Sequence, residues 1–222
     1  MGILNEVAGT SAAPCDLAPA VDLALALAVD CSSSVDAGDF RIQMDGIAAA
    51  LRHPALHEAI AAGGFGRIAL ALVQWSNRNT QVIALPWRIL ASKADLEMAA
   101  RDVEATERHW QPGGTGLAAA VDYCKALLGV LPWLAGRQVI DVSGDGEDNE
   151  GGRPAAARDR AIALGITING LPIMSGSQQL VGYYRDQVIG GMGAFLEPAA
   201  DIMAFHDTIL RKLLREIGRP VS

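Results

Sequence analysis

The stretch VDLALALAVDCSSSVD (residues 21–36) decides the fold. Val21, Leu23, Leu25, Leu27 and Val29 alternate with Ala24, Ala26 and Ala28. A period of two is that of a strand, and apolar residues on both faces mean that both faces are covered. The alanine face lets a helix approach closely. The segment therefore reads as a central strand of a layered α/β sheet. It stops at Asp30, and Cys31-Ser32-Ser33-Ser34 has the composition of a turn. Ser34 or Asp36 is placed to cap the next helix, whose apolar stripe is Phe40, Met44, Ile47, Ala48 and Leu51.

Outward from this strand the chain alternates. A short helix near 55–62 and three glycines lead to a strand over 67–75, where Ile68, Leu70 and Leu72 oppose Ala69, Ala71 and Val73. Asn77 to Asn79 read as a tight hairpin turn, which makes the strand near 80–86 antiparallel and an edge. A helix over 92–106 follows, then the loop His109-Trp110-Gln111-Pro112-Gly113-Gly114-Thr115. Leu117, Val121, Cys124 and Leu128 mark another helix. Then come a strand at 137–143, a helix at 153–164, a strand at 166–173, a short helix near 178–187 and a strand near 193–197. The last helix, 200–217, starts with Asp201 and carries Arg211, Lys212 and Arg215 toward its end, as its macrodipole favours. The order predicts a doubly wound, mostly parallel, Rossmann-like sheet with one antiparallel edge strand and helices on both faces. Residues 1–20 read as an irregular lead-in, and 21–218 as a single domain.

Composition narrows the function. Half of the 222 residues are apolar, enough for a large core. The net charge of -7 is concentrated early: residues 1–40 hold six carboxylates and no Lys or Arg, against 18 basic and 19 acidic residues beyond. An acidic chain without a basic stripe argues against nucleic acid. Its longest apolar run, Leu23 to Val29, is too short to span a membrane. Cys15, Cys31 and Cys124 form no disulfide framework, and residues 1–20 do not read as a signal peptide. The expected compartment is the cytoplasm, an exported protein being the alternative if a leader precedes this sequence.

In sheets of this class ligands sit at the carboxyl ends of the strands. That rule selects the loops 30–36, 109–116 and 144–150. Together they carry Asp30, Ser32, Ser34, Thr115 and Asp145, all oxygen donors, without sulfur or imidazole. Hard oxygen donors favour Mg²⁺, with Mn²⁺ or Ca²⁺ possible, over zinc or copper. Two carboxylates balance a divalent ion, and hydroxyls add contacts without charge.

The segments DCSSSVD (30–36), GGTGLAAA (113–120) and VIDVSGDGEDN (139–149) resemble the metal-ion-dependent adhesion site of von Willebrand factor A domains. The likeness runs from about residue 20 to 217. LPW (85–87), GRPAAARDRAIALGITINGLPI (152–173) and YYRDQVIGG (183–191) resemble a bacterial subfamily of that family whose function is unknown. The resemblance implies that Ser32 and Ser34 are direct ligands, Thr115 a direct or conformation-dependent one, and Asp30 and Asp145 ligands directly or through water. It also implies that a carboxylate of a protein partner completes the coordination; the sequence specifies neither that partner nor an oligomeric state. Gly144 departs from the family, which often has Thr there. Asp141, four residues before Asp145, is a rival acid, more simply read as a hydrogen-bonded structural or supporting group.

Simpler readings stand beside these. Asp followed by a Ser-rich turn is common without metal. Cys31 and Cys124 read as buried small residues, and His53 and His57 as surface histidines. His109 and Trp110 are candidates for the partner surface, or for anchoring their loop. Gly144 and Asp148 could support the site from behind, and Glu147, Asp148 and Glu150 could tune its field or be a solvated loop. The alternative function is a metal-assisted hydrolase or phosphatase using Asp30 and Asp145; no histidine lies in the three motifs to act as a base.

Overall fold

In the computed structural model, which describes residues 20–109, 113–174 and 178–218, five strands build one sheet. They are β1 (Ala20–Asp30), β2 (Ile68–Trp75), β3 (Gln81–Leu90), β4 (Leu134–Gly144) and β5 (Thr167–Pro172), in the order β3-β2-β1-β4-β5. All pairs are parallel except β2 with β3. Strand β1 is central, as its alternation demands, and it is buried along both faces. Its leucines and Val29 pack with α1 (Ala37–Arg52), α2 (Pro54–Ala61), α3 (Lys93–Glu104) and α7 (Phe205–Ile217). Its alanines face α4 (Leu117–Gly129), α5 (Pro154–Ile162) and α6 (Gln179–Tyr183), which continues as a π-helical turn over Tyr184–Val188. Each helix layer thus covers the face whose residue sizes suit it.

The hairpin forms at Asn77, where Thr80 donates to the Asn77 carbonyl, and β3 is the antiparallel edge. That strand runs to Leu90, beyond the expected 86. Among the described residues no helix is long and apolar enough to cross a membrane. The lead-in lies outside the described residues except for Ala20, which opens β1.

Three expectations are corrected. The segment 193–197 is no strand: its pairing with β5 is one isolated bridge, Leu196 with Gly170. The Phe195 amide donates to the Asn169 side chain at 2.7 Å instead of to a ladder, and Pro198 has no amide to continue one. The last helix starts at Phe205, because Asp201 accepts from the Ala204 amide at 2.9 Å and holds a preceding turn. Lys212 does not complement a helix end from the surface. Its side chain is fully buried, 2.9 Å from Asp141 and 3.1 Å from Glu216.

This buried cluster fastens α7 to β4 and β5. Asn169 donates to both carboxylate oxygens of Glu216 at 2.8 and 2.9 Å. Burial pushes the Asp141 carboxyl up to about 6, and the Lys212 charge works against that rise. Removing one partner of a buried ionic group strands the others. Lys212→Met is therefore expected to destabilise the protein by about 3–5 kcal/mol in urea unfolding. A loss below about 1 kcal/mol would show that the cluster does not hold the helix.

Candidate metal centre

Strand β1 delivers Asp30 to the carboxyl edge of the sheet, on the face shared by Ala24, Ala26 and Ala28. The chain then turns, and the Ser32 amide donates back to Asp30 Oδ1 at 2.7 Å. Ser32 Oγ lies 3.2 Å from Ser34 Oγ, which donates to Asp145 Oδ1 at 2.6 Å. Asp36, not Ser34, caps α1 by accepting from the Asp39 amide, so Ser34 is left for the site. Thr115 is buried, and its hydroxyl lies against Gly146, next to Asp145. The fold thus brings all five expected residues together from three loops.

Asp30 is fully buried, and its Oδ2 has no hydrogen-bond partner. Burial, opposed by the Ser32 amide and reinforced by the Asp145 charge, lifts its carboxyl to about 7. A buried carboxylate with an unused oxygen, a second carboxylate and three hydroxyls is a donor set that fits a hard divalent cation. Among the described residues no three His, Cys, Asp or Glu side chains gather to hold a metal, so the hydroxyls are essential to this fit.

Asp141 lies in register with Leu27, on the opposite face of the sheet from Asp30. Its partner is Lys212, which makes it a structural acid. Gly144 explains its own departure from the family pattern: a Cβ there would stand 2.9 Å from Asp30 Oδ2, 2.9 Å from the Tyr184 hydroxyl and 3.1 Å from Trp75 Cζ2. Cys31 and Cys124 are buried and free, and burial pushes both thiols up to about 12. His53 is exposed and caps α2, accepting from the Ala55 amide. His109 is exposed and lines a depression of about 420 Å³ with Asn77, Asn79, Thr80, Gln81 and Val82. Trp110 lies outside the described residues.

Several supporting groups give no sequence signal of their own. Arg108 donates to the carbonyls of Cys31 and Ser32 at 3.1 and 2.9 Å, and buried Gln43 to that of Asp30 at 3.1 Å. Ser33 Oγ donates to the Gly113 carbonyl at 2.7 Å and ties the first loop to the second. The acidic loop after β4 clamps the Thr115 turn. Glu150 accepts from the Gly114 amide and Asn149 from the Thr115 amide, each at 2.7 Å. Asp148 accepts from the Ala118 amide at 2.9 Å, supplying the side-chain cap that Gly116 cannot give α4. Gly116 is required because a Cβ would meet the Asn77–Arg78 backbone at 2.6 Å. Glu150 and Asp148 are thus structural acceptors within a loop that charge alone marks as solvated.

The fold is that of von Willebrand factor A domains. A von Willebrand factor type A protein from Catenulispora acidiphila superposes with a TM-score of 0.60 at 16% identity, over 89% of this chain and 43% of that one. Proximal thread matrix protein 1 from the mussel byssus, in a structure described as having a zinc-occupied MIDAS motif, gives 0.60 at 15%, over 90% and 46%. BatB from Bacteroides thetaiotaomicron gives 0.54 at 14%, over 88% and 98%. The chain spans under half the length of the mussel protein. The profile of the family described as "Protein of unknown function (DUF1194)" matches residues 20–221, and the chain belongs to that family. No curated protein matches it.

Asn149→Ala removes the acceptor of the buried Thr115 amide and is expected to cost about 1–3 kcal/mol in urea unfolding. Hydrogen exchange at the Thr115 amide should accelerate with it. Unchanged exchange at that amide would show that the clamp does not order the turn.

Proposed function

We propose that this chain is a divalent-metal-dependent protein-binding module, working in adhesion or as a scaffold. Asp30, Ser32, Ser34, Thr115 and Asp145 would hold the ion, Mg²⁺ foremost, with Mn²⁺ or Ca²⁺ able to replace it. When bound, such an ion supplies an electrophilic point that accepts a carboxylate oxygen from a partner's acidic side chain.

The observation that carries this reading is the unpartnered Asp30 Oδ2, buried beside the Ser34–Asp145 hydrogen bond. The hydroxyls of Ser32, Ser34 and Thr115 contribute contacts without adding negative charge, so two carboxylates balance the ion and leave it able to attract a third. Ser34 is exposed and Asp145 half-buried, which keeps the outer side of the group reachable by a second protein. The five residues include no imidazole to take up a proton, and this favours binding over metal-assisted hydrolysis. Structures of the same fold include a pilus adhesin and a byssal matrix protein, which agrees with a binding role.

Mg²⁺ at about one hundred times its dissociation constant is expected to stabilise the chain by about 2.7 kcal/mol, a rise in melting temperature of about 5–10 °C. Asp30→Ala and Ser32→Ala should each abolish the rise. A partner captured in Mg²⁺ should be released by EDTA, and the Asp30→Ala chain should not capture it. Capture that persists unchanged in excess EDTA contradicts the proposal.

A further inference from the structure

The point where a Gly144 side chain would stand is surrounded by groups from three parts of the chain. Asp30 Oδ2 comes from β1, the Trp75 ring from β2, and the Tyr184 hydroxyl from the π-helical turn. The Asp30 and Tyr184 atoms are each 2.9 Å from that one point. Both are buried, and neither has a hydrogen-bond partner, nor does the Trp75 indole nitrogen. Tyr184 is wholly enclosed.

Core packing alone does not account for a hydroxyl here. An unpaired buried hydroxyl is unfavourable, and phenylalanine would fill the same volume without it. The placement of the ring is also specific. Tyr184 begins the π-helical turn, a backbone irregularity that gathers at functional sites. Its neighbour Tyr183 reaches the same region, its hydroxyl accepting from the Asp148 amide at 3.0 Å. One short helical segment therefore brings one tyrosine to the space beside the first carboxylate and bonds the loop of the second with the other.

We propose that Tyr184 is a positioning residue of the metal site: when the ion binds, its hydroxyl, in space left open by Gly144, donates to Asp30 Oδ2, directly or through one water, and holds that carboxylate in place for the ion. The proposal rests on the metal-binding reading above. Groups of this kind, which hold a ligand rather than the metal, typically change metal affinity about 10–100-fold when removed.

The test is calorimetric titration of the full chain with Mg²⁺, comparing wild type, Tyr184→Phe and Tyr183→Phe, together with melting of each metal-free protein. Tyr184→Phe should weaken Mg²⁺ binding about tenfold or more. Its metal-free melting temperature should stay level or rise, because an unpaired hydroxyl has gone. Mg²⁺ should also produce a tyrosine ultraviolet difference spectrum in wild type and Tyr183→Phe that is missing in Tyr184→Phe. Wild-type Mg²⁺ affinity in Tyr184→Phe overturns this inference alone; a wild type that binds no Mg²⁺ overturns the metal reading and this inference with it. Should Tyr184→Phe fold poorly, the wild-type spectrum decides, and Mg²⁺ binding without a tyrosine signal counts against the proposal.

Discussion

A carboxylate carried fully into a protein interior is costly unless its charge and both oxygens are answered. Asp30 ends the central strand in that position. The Ser32 amide answers one oxygen, and no group bonds the other. The surrounding architecture serves this arrangement. The alternating faces of β1 place the residue under two helix layers, and Gln43 and Arg108 hold the carbonyls on either side of the turn. The hydroxyls of Ser32 and Ser34 then lead from the buried acid to the more accessible Asp145. A divalent cation relieves both the charge and the unused oxygen at one stroke, which is the physical reason for reading the site as a metal centre.

Two separate devices keep the three loops in register. On the site side, the acidic loop after β4 spends its side chains as acceptors for the amides of Gly114, Thr115 and Ala118. Those amides sit at or near the start of α4, where the helix dipole favours anionic acceptors. On the opposite face, Lys212 joins Asp141 and Glu216 in a sealed ionic group that ties α7 to the same strand, β4. Strand β4 thus carries the structural acid Asp141 within its length, while the site acid Asp145 lies in the loop that follows it.

The mostly parallel sheet, the central place of β1, the antiparallel edge and the three loops that meet at its carboxyl end were legible in the sequence, because periodicity and turn chemistry are local. Residues that act across the fold were not. Lys212 sits among helix-ending basic residues and carries no mark of burial; it is recognisable only once Asp141 and Glu216 are seen beside it. The segment 193–197 has a strand's composition, but the Asn169 side chain and Pro198 deny it a ladder. Gly144 registered as a missing hydroxyl. That the Tyr184 hydroxyl reaches the same space, forty residues later in the chain, follows only from the packing of the π-helical turn against α5 and β5. The acidic residues 148 and 150 look solvated in the sequence because backbone amides, their true partners, leave no trace in side-chain patterns.

The most direct test of the metal centre is electron paramagnetic resonance of Mn²⁺ added to the full chain, with ¹⁷O-labelled water to detect solvent on the ion. The proposed metal centre predicts one bound Mn²⁺ per chain, displaced by excess Mg²⁺, with lines broadened by coordinated water. A free Mn²⁺ signal undiminished by the protein would contradict the account.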